Sequence, residues 1–410
     1  MLEALQRKNK PIIYLGLSKI NFLMNKIYLF TAAFAVMASL SGCSDTELAS
    51  IDTAQEKTPI GFHTVGSQMG SRATIINSGD ITKTDFNVFA FEKNADGADG
   101  AMFMGGDKMN SVGLAGVNIS YSEEDKWHYT TGSDLKYWPT TPLNFYAVNP
   151  AKIADLTFSY AWEIEANKKQ ITYNCFDEKN GKSNVDVMYA IAKNQEKSTN
   201  SGTVSLKFHH ILSQVAFRAK TNSDGMQVDI KEIKIKNFKT GGIFNFPDDA
   251  ETKPTQSNWQ LGDTYTHSAF TLISKADDAP IVVNSTSTAK DITIANPMLF
   301  APQTLPAWNT SHNITAADNS GESYLVISCK IKIGDFYKLG SGTEYGTLYI
   351  PFGGYDWEPG MRYVYTLVFG GGYDEKGNPI LQPINFEPSV EDWVNDAGNS
   401  TTGNDIPLYQ

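Results

Sequence analysis

The sequence is poor in cysteine. Its 410 residues contain only Cys43, Cys175 and Cys329, which argues against a small fold held together by disulfides. In the segment YLVISCKIKI every second position from Leu325 to Ile333 is aliphatic or cysteine, and such positions share one face of a strand. Cys329 is therefore predicted to be a core thiol. A Cys175–Cys329 disulfide stays open, because sequence alone does not fix pairing.

Basic clusters and familiar catalytic motifs are missing as well. The formal net charge is −11, from 34 Lys and Arg against 45 Asp and Glu, so nucleic acid is not an expected partner. The sequence has no HExxH, no pair of CxxC motifs and no GxSxG, which are signatures of zinc sites and serine hydrolases. The adjacent His209 and His210 would point to opposite faces of a strand and could not chelate one ion. We therefore predict no catalytic residue, no metal site, no cofactor and no enzyme activity.

One long apolar run stands out near the start. It reads IYLFTAAFAVMASL from Ile27 to Leu40 and directly follows Lys26. A transmembrane helix needs about 20 apolar residues, whereas a basic flank, a shorter apolar core and small residues at its end are typical of an export signal. We predict a signal peptide over residues 1–42, with Met24 as an alternative true start.

The apolar run ends in LSGC, which resembles a bacterial lipobox. The resemblance implies cleavage before Cys43 and a lipid on its thiol, which would anchor the mature chain to a membrane. More than one acyl chain gives stable anchoring, at roughly 0.8 kcal/mol for each buried CH₂. The polar residues 43–58 are predicted to form a tether beyond this lipid.

The rest of the chain has the composition of an extracellular β protein. Aromatic residues make up 12%, short alternating segments recur and amphipathic helical patterns are nearly absent, which favours packed antiparallel sheets. The segment PIGFHTV, with Ile60, Phe62 and Thr64 on one face, is predicted to be the first strand. The polar segment KNQEKSTNSG separates two predicted β-sandwich domains, residues 59–200 and 201–410.

Two strand candidates change the parity of their apolar positions. In TVSLKFHHILSQVAFRAKT the apolar side chains move from even to odd positions near Ile211, and in MQVDIKEIKIKNF they do so between Ile230 and Ile233. A change of parity turns the apolar side chains to the other face of a strand. We therefore predict a bulge or a bend between two sheets at both places.

Several segments in fixed order resemble the fimbrillin family of Bacteroidetes, in its Mfa-like branch. They are GSRAT, LKYWPTTPLNFYAVNP, DVMYA, VSLKFHHILSQVAFRAK, KIKNFKTGGIFNF, MLFAPQTL, WEPGMRYVYTLVF and INFEPSVEDW. The resemblance implies two transthyretin-like β-sandwich domains in tandem and a structural or adhesive subunit of a type V fimbria. It also implies that an arginine-specific protease cuts between Arg72 and Ala73 and so removes a strand within residues 59–71. In that scheme the precursor, with its lipid on Cys43, reaches the outer membrane at the cell surface. Other fimbrial subunits are the expected partners, with a host or glycan molecule as a further candidate ligand.

Removal and replacement of a strand follow the physics of β-augmentation. A vacated edge exposes unpaired N–H and C=O groups beside an apolar trough, and an extended segment of another subunit supplies ladder bonds and alternating side chains. In the tail of this chain, Ile406 and Leu408 alternate and are the candidate donor residues, although Pro407 between them lacks a ladder N–H. Stalk, tip and anchor roles therefore all stay open.

An alternative interpretation is a monomeric surface lipoprotein that binds glycans. The seven tryptophans could form a stacking platform for sugar rings, although large aromatic side chains more often fill the core of a β-sandwich. A glycoside hydrolase is a third interpretation, because carboxylate pairs are assembled in space and leave no local motif.

Overall fold

Strands dominate the structure. The computed structural model describes residues 57–65, 81–106, 108–109, 113–151, 160–175, 185–262, 269–293, 298–309, 311–370, 372–373, 379–381, 386–392 and 404–405. Within these ranges one α-helix occurs, α1 (Ile314–Asn319). The Asn313 side chain caps α1 by accepting a hydrogen bond from the Ala316 N–H. Nearly all other regular elements are strands, which confirms the predicted all-β class.

The strands of the first part of the chain are short and closely spaced. In chain order they are β1 (Gly61–Val65), β2 (Phe86–Lys93), β3 (Asp99–Met104), β4 (Lys108–Met109), β5 (Gly113–Leu114), β6 (Val117–Ser122), β7 (Lys126–Tyr129), β8 (Leu143–Asn149), β9 (Tyr160–Glu165), β10 (Lys168–Asn174), β11 (Met188–Gln195) and β12 (Thr203–Lys207). Short 3-10 helices lie in the connections at Ile81–Lys83, Gly132–Asp134, Thr199–Gly202 and, further on, Gln256–Asn258.

The second part of the chain contains the longest strands. In chain order its strands are β13 (His209–His210), β14 (Ser213–Thr221), β15 (Met226–Lys236), β16 (Gly241–Asn245), β17 (Trp259–Leu261), β18 (Phe270–Ser274), β19 (Ile281–Val283), β20 (Lys290–Asp291), β21 (Met298–Phe300), β22 (Tyr324–Ile333), β23 (Phe336–Leu339), β24 (Gly346–Pro351), β25 (Met361–Phe369), β26 (Gly372–Tyr373), β27 (Pro379–Leu381), β28 (Phe386–Asp392) and β29 (Asn404–Asp405).

Three layers build the part of the fold around β1. The middle layer is a seven-stranded sheet in the order β13-β11-β8-β2-β6-β7, with β3 paired to β2. Alternation along β2 buries both of its faces, with Phe86 and Val88 on one side and Phe89 and Phe91 on the other. The pair β1–β12 covers the first side, and the four-stranded sheet β17-β16-β10-β9 covers the second. A hydrophobic core therefore lies on each side of the middle sheet.

The later strands form two further sheets, of six and eight strands, that pack face to face. One has the order β20-β14-β25-β28-β29, with β21 on β14, and the other has the order β18-β15-β22-β24-β26-β27, with β19 on β15 and β23 on β22. Phe217 of β14 and Tyr365 of β25 share one core with Ile230 and Ile327 of the other sheet. This core continues to Phe89 of the middle sheet, and the predicted division into two domains stays a prediction.

Strand direction departs from the antiparallel rule in two places. Most of the described ladders are antiparallel, as predicted, but β1 pairs with β12 and β14 pairs with β25 in parallel. Parallel partners need a long connection between them, and both pairs join segments that are far apart in the chain. Apolar alternation carries no information on strand direction, so the sequence did not predict these two ladders.

Both predicted changes of apolar parity mark irregularities in the sheets. The strands β12, β13 and β14 follow one another almost without a break but belong to three different sheets. Along β15, the pairing with β22 shifts its register between Ile230 and Glu232, which is the position expected for a β-bulge. The chain thus moves between sheets in the first case and turns its apolar face in the second.

The two described cysteines are free thiols in the core. Cys175 is 4% exposed and Cys329 is 0% exposed, and the two do not form a disulfide. This confirms Cys329 as a core residue and removes the disulfide that the sequence left open. Burial raises the pKa of the Cys175 thiol to about 12 and raises the pKa of Cys329 well above its usual range. Both thiols are therefore protonated in the folded chain at neutral pH.

We expect both thiols of a Cys43→Ser chain to react very slowly with DTNB while the chain is folded. The thiolate is the reactive species, and a rise in pKa from 9.0 to about 12 lowers its fraction at pH 8 about a thousandfold. The raised pKa also makes the free energy of unfolding depend on pH. Its contribution is fully present below about pH 9, where the unfolded thiol is protonated too, and is lost as the pH rises toward 12. Thionitrobenzoate absorbance with and without urea measures the rate of labelling. Rapid labelling without urea would contradict it.

Candidate functional site: the first strand and its groove

The strand β1 covers one face of the middle sheet with buried side chains. Ile60, just before β1, is 1% exposed and Phe62 is 6% exposed, whereas His63 faces solvent. This alternation confirms the predicted first strand, because alternate side chains point to opposite faces. Ile60 and Phe62 share a hydrophobic core with Val204 and Leu206 of β12. The strand thus closes a core that would otherwise face water.

Phe62 lies among three rings, Phe86, Tyr129 and Phe145, which we call the aromatic box. The Phe62 ring centroid is 6.3 Å from that of Phe86, 5.9 Å from that of Tyr129 and 6.1 Å from that of Phe145. Phe86 and Phe145 meet Phe62 edge to face, an arrangement that aromatic pairs favour. Burial raises the pKa of Tyr129 well above its usual range, so the box carries no charge near neutral pH.

Trp127 adds a polar contact beside the aromatic box. Its Nε1 donates a hydrogen bond to Thr64 Oγ1 of β1 at 3.1 Å. The indole ring is held from two sides, with centroid distances of 4.8 Å to Phe86 and 5.2 Å to Tyr121. The position of Thr64 is therefore recognised by a hydrogen-bond donor. We call the aromatic box, Trp127 and β12 together the β1 groove.

The backbone of β1 has a ladder partner on one side. It pairs with β12 in parallel along its whole length, and the two strands form a sheet of their own. Just before β1, the Ile60 N–H donates to the Lys136 carbonyl at 2.9 Å, and the Trp138 N–H donates to the Thr58 carbonyl at 3.0 Å. Among the described strands, β1 has no second ladder partner. It is an edge strand that is clamped at its start.

Space at the start of the β1 groove is restricted. Gly202 has a φ of +84°, and a Cβ there would lie 3.1 Å from Thr58 Cγ2 and 3.2 Å from Trp138 Nε1. The Gly202 carbonyl accepts a hydrogen bond from Trp138 Nε1 at 2.7 Å. Within β1, a Cβ at Gly61 would lie 3.1 Å from Thr203 Oγ1, closer than side chains normally pack. Glycine at position 61 thus lets β1 lie at its present distance from β12 without a shift of the Thr203 side chain.

The predicted processing and donor residues lie outside the described part of the chain. This holds for the lipid site Cys43, the cleavage bond between Arg72 and Ala73, and the candidate donors Ile406 and Leu408. These assignments therefore stay predictions. The adjacent β29 is described and pairs with β28 in antiparallel orientation at the edge of its sheet.

The two histidines of β13 have different structural surroundings. His210 is buried, with Nδ1 2.9 Å from Asp186 Oδ1, and the His209 ring lies 5.7 Å from the Tyr189 ring. In the described ranges, no three His, Cys, Asp or Glu side chains are grouped so that they could hold a metal ion. No helix in the same ranges is both long and apolar enough to cross a membrane.

Most of the described tryptophans serve the core. The buried ones are Trp162, Trp259, Trp308 and Trp357. Trp127 and Trp138 are half-buried. Trp127 lines the β1 groove, and Trp138 lies at its start, where its Nε1 donates to the Gly202 carbonyl. The described tryptophans thus give no support to a stacking platform for sugars. The sequence did not single out Trp127 or Trp138, because nothing local indicates which ring packs beside the first strand.

Comparison with known proteins connects this fold to bacterial surface proteins. A family model described as fimbrillin-like matches residues 71–393. The fimbrium subunit Fim1C of Phocaeicola vulgatus is 25% identical over 199 residues, which cover 44% of this chain and 48% of that relative. The chain thus spans about half the length of the curated relative that it matches.

Solved structures of fimbrial proteins are also similar. A fimbrial protein from Bacteroides vulgatus has 16% identity and a TM-score of 0.48, with 82% of this chain and 99% of that chain covered. The C-terminally truncated tip fimbrial protein Mfa3 from Porphyromonas gingivalis has 10% identity and a TM-score of 0.35, with 79% and 97% covered. Because the family model matches well over half of the sequence, this chain belongs to the fimbrillin-like family.

Proposed function

We propose that this chain is a structural subunit of a bacterial surface fimbria and that β1 is a placeholder for a strand of a neighbouring subunit. The proposal rests on the position of β1. This strand fills an apolar groove with Ile60 and Phe62 and pairs with β12. Membership of the fimbrillin-like family supports the same function, as do relatives described as a fimbrium subunit and a tip fimbrial protein.

The energetics of the β1 groove suit an exchange of strands. Fully burying a side chain such as Phe62 contributes about 1.5–3 kcal/mol. The strand β1 has only five residues, so the free energy that keeps it in the groove comes from a small number of contacts. A longer incoming strand would add ladder bonds and further apolar contacts. Since each subunit would offer a strand to one neighbour and a groove to another, the contacts would not close and a filament would grow.

The proposed route begins with export as a lipoprotein that carries a lipid on Cys43. An arginine-specific protease then cuts between Arg72 and Ala73, and β1 leaves together with the lipidated tether. The family model matches residues 71–393, a range that lies after β1. The mature subunit would start at Ala73 and hold an empty β1 groove until a neighbour fills it.

We expect N-terminal sequencing of sheared surface filaments to give Ala73 as the first residue. An Arg72→Gln chain should stay uncut and fail to enter filaments, because β1 remains covalently attached and can return to its groove. Arg218→Gln is the control, since Arg218 is an exposed arginine of β14 paired with Asp291. Filaments whose subunits begin at Cys43, or Arg72→Gln chains that polymerise normally, would sink the proposal.

A further inference from the structure

We infer that the β1 groove selects its incoming strand by a five-residue pattern of aliphatic, glycine, aromatic, any residue, and threonine or serine, and that this strand belongs to a different subunit. The inference rests on the proposed function. Ile60, Gly61, Phe62, His63 and Thr64 show the pattern in the placeholder strand. Four positions of the pattern follow from burial, close approach or a hydrogen bond, and the fourth position is exposed.

The third position requires an aromatic ring. Phe62 reaches all three rings of the aromatic box within 6.3 Å between centroids. A flat ring gives edge-to-face contacts to Phe86 and Phe145 that a branched aliphatic side chain lacks. Ile60 fills the neighbouring apolar position and is 1% exposed, which sets the first position as aliphatic.

The second and fifth positions depend on space and on a hydrogen bond. A Cβ at the place of Gly61 would lie 3.1 Å from Thr203 Oγ1, so a larger residue fits only if the Thr203 side chain or the strand shifts by a few tenths of an ångström. Trp127 Nε1 donates to the hydroxyl of Thr64 at 3.1 Å. An apolar residue there would leave the half-buried indole N–H without that acceptor. His63 points to solvent, so the fourth position is unrestricted.

The candidate donor in this chain's own tail does not match the pattern. With Ile406 placed in the Ile60 position, Pro407 takes the glycine position and Leu408 takes the aromatic position. Proline is bulkier than glycine and has no N–H for the ladder. The groove of one copy is therefore a poor acceptor for the tail of another copy. A segment of a different subunit, with glycine followed by an aromatic residue, is the fitting occupant.

Peptide exchange into the groove tests this inference. The full-length chain would carry Cys43→Ser and a specific protease site in place of residues 68–72, and would be cut so that β1 is held without a covalent link. Fluorescent peptides are then added and their binding is followed by anisotropy. The reference is the nine-residue peptide KTPIGFHTV, the sequence of residues 57–65. Its variants carry Phe62→Leu, Gly61→Pro, Thr64→Val or, as the control, His63→Ala, and TGNDIPLYQ represents the tail.

We expect the reference and His63→Ala peptides to bind equally. Binding should weaken about tenfold for Phe62→Leu, about fivefold for Thr64→Val and about a hundredfold for Gly61→Pro, with the tail peptide at least as weak as Gly61→Pro. If the reference peptide binds and the variants or the tail bind as well as it does, the pattern is overturned while the proposed function stands. If the reference peptide itself does not enter the groove, the placeholder role of β1 fails too.

Discussion

Replacing Phe62 with alanine is expected to release β1 from its groove while the rest of the fold stays intact. The substitution removes a ring that is 6% exposed and contacts all three rings of the aromatic box. Truncation of a buried phenylalanine typically costs about 3–5 kcal/mol. Because β1 has a single described ladder partner, this loss should appear as local opening of the strand.

Hydrogen exchange measures this opening residue by residue. Near the start of β1, the Ile60 and Trp138 amides donate hydrogen bonds to backbone carbonyls. Their protection against hydrogen exchange should fall about a hundredfold or more in the Phe62→Ala chain. The matched control is His63→Ala, which changes the adjacent, exposed residue of β1 and should leave protection unchanged. Equal protection in both variants would show that Phe62 does not hold the strand.

The second large effect is expected from Trp357→Ala, at the centre of the later sheets. Trp357 is 0% exposed, its ring stacks on Phe300 with centroids 5.1 Å apart, and its Nε1 donates to Tyr365 Oη at 2.9 Å. Alanine leaves a large cavity in addition to removing these contacts, so stability should fall by about 3–5 kcal/mol. This loss should be global, because the same core contains residues from both facing sheets.

Urea unfolding separates the contributions of the Trp357 ring and its N–H. Trp357→Phe keeps an aromatic ring over Phe300 but removes the hydrogen bond, so its cost should be smaller, about 1–2 kcal/mol. Phe336→Ala serves as a control, because Phe336 is 76% exposed and should change stability by less than about 0.5 kcal/mol. A Trp357→Ala midpoint close to that of the Phe336→Ala chain would contradict the assignment.

Much of the strand content follows from the sequence, because period-two alternation reports directly on burial. The first strand, the core position of Cys329 and the irregularities near Ile211 and Ile230 were predicted in this way and are confirmed. Each of these depends on neighbouring residues in the chain. Local patterns carry such information well.

The arrangement of the layers could not be predicted from the sequence, because it depends on pairing between strands that are far apart in the chain. Nothing in the residues of β16 and β17 indicates that they continue the sheet of β9 and β10. The parallel pairing of β1 with β12 is equally invisible, as is the position of Trp127 beside Thr64. The processing residues Arg72 and Ala73 came from family resemblance, and no local physical pattern marks them as a protease site.

The parallel alignment of β1 with β12 has a mechanical consequence. The paired residues run from Gly61 opposite Thr203 to Val65 opposite Lys207. Tension applied to opposite ends of two such strands loads all the hydrogen bonds between them at the same moment, whereas peeling from one end breaks these bonds in succession. A strand paired in this way would resist a pull along its own length far better than it resists being lifted from one end.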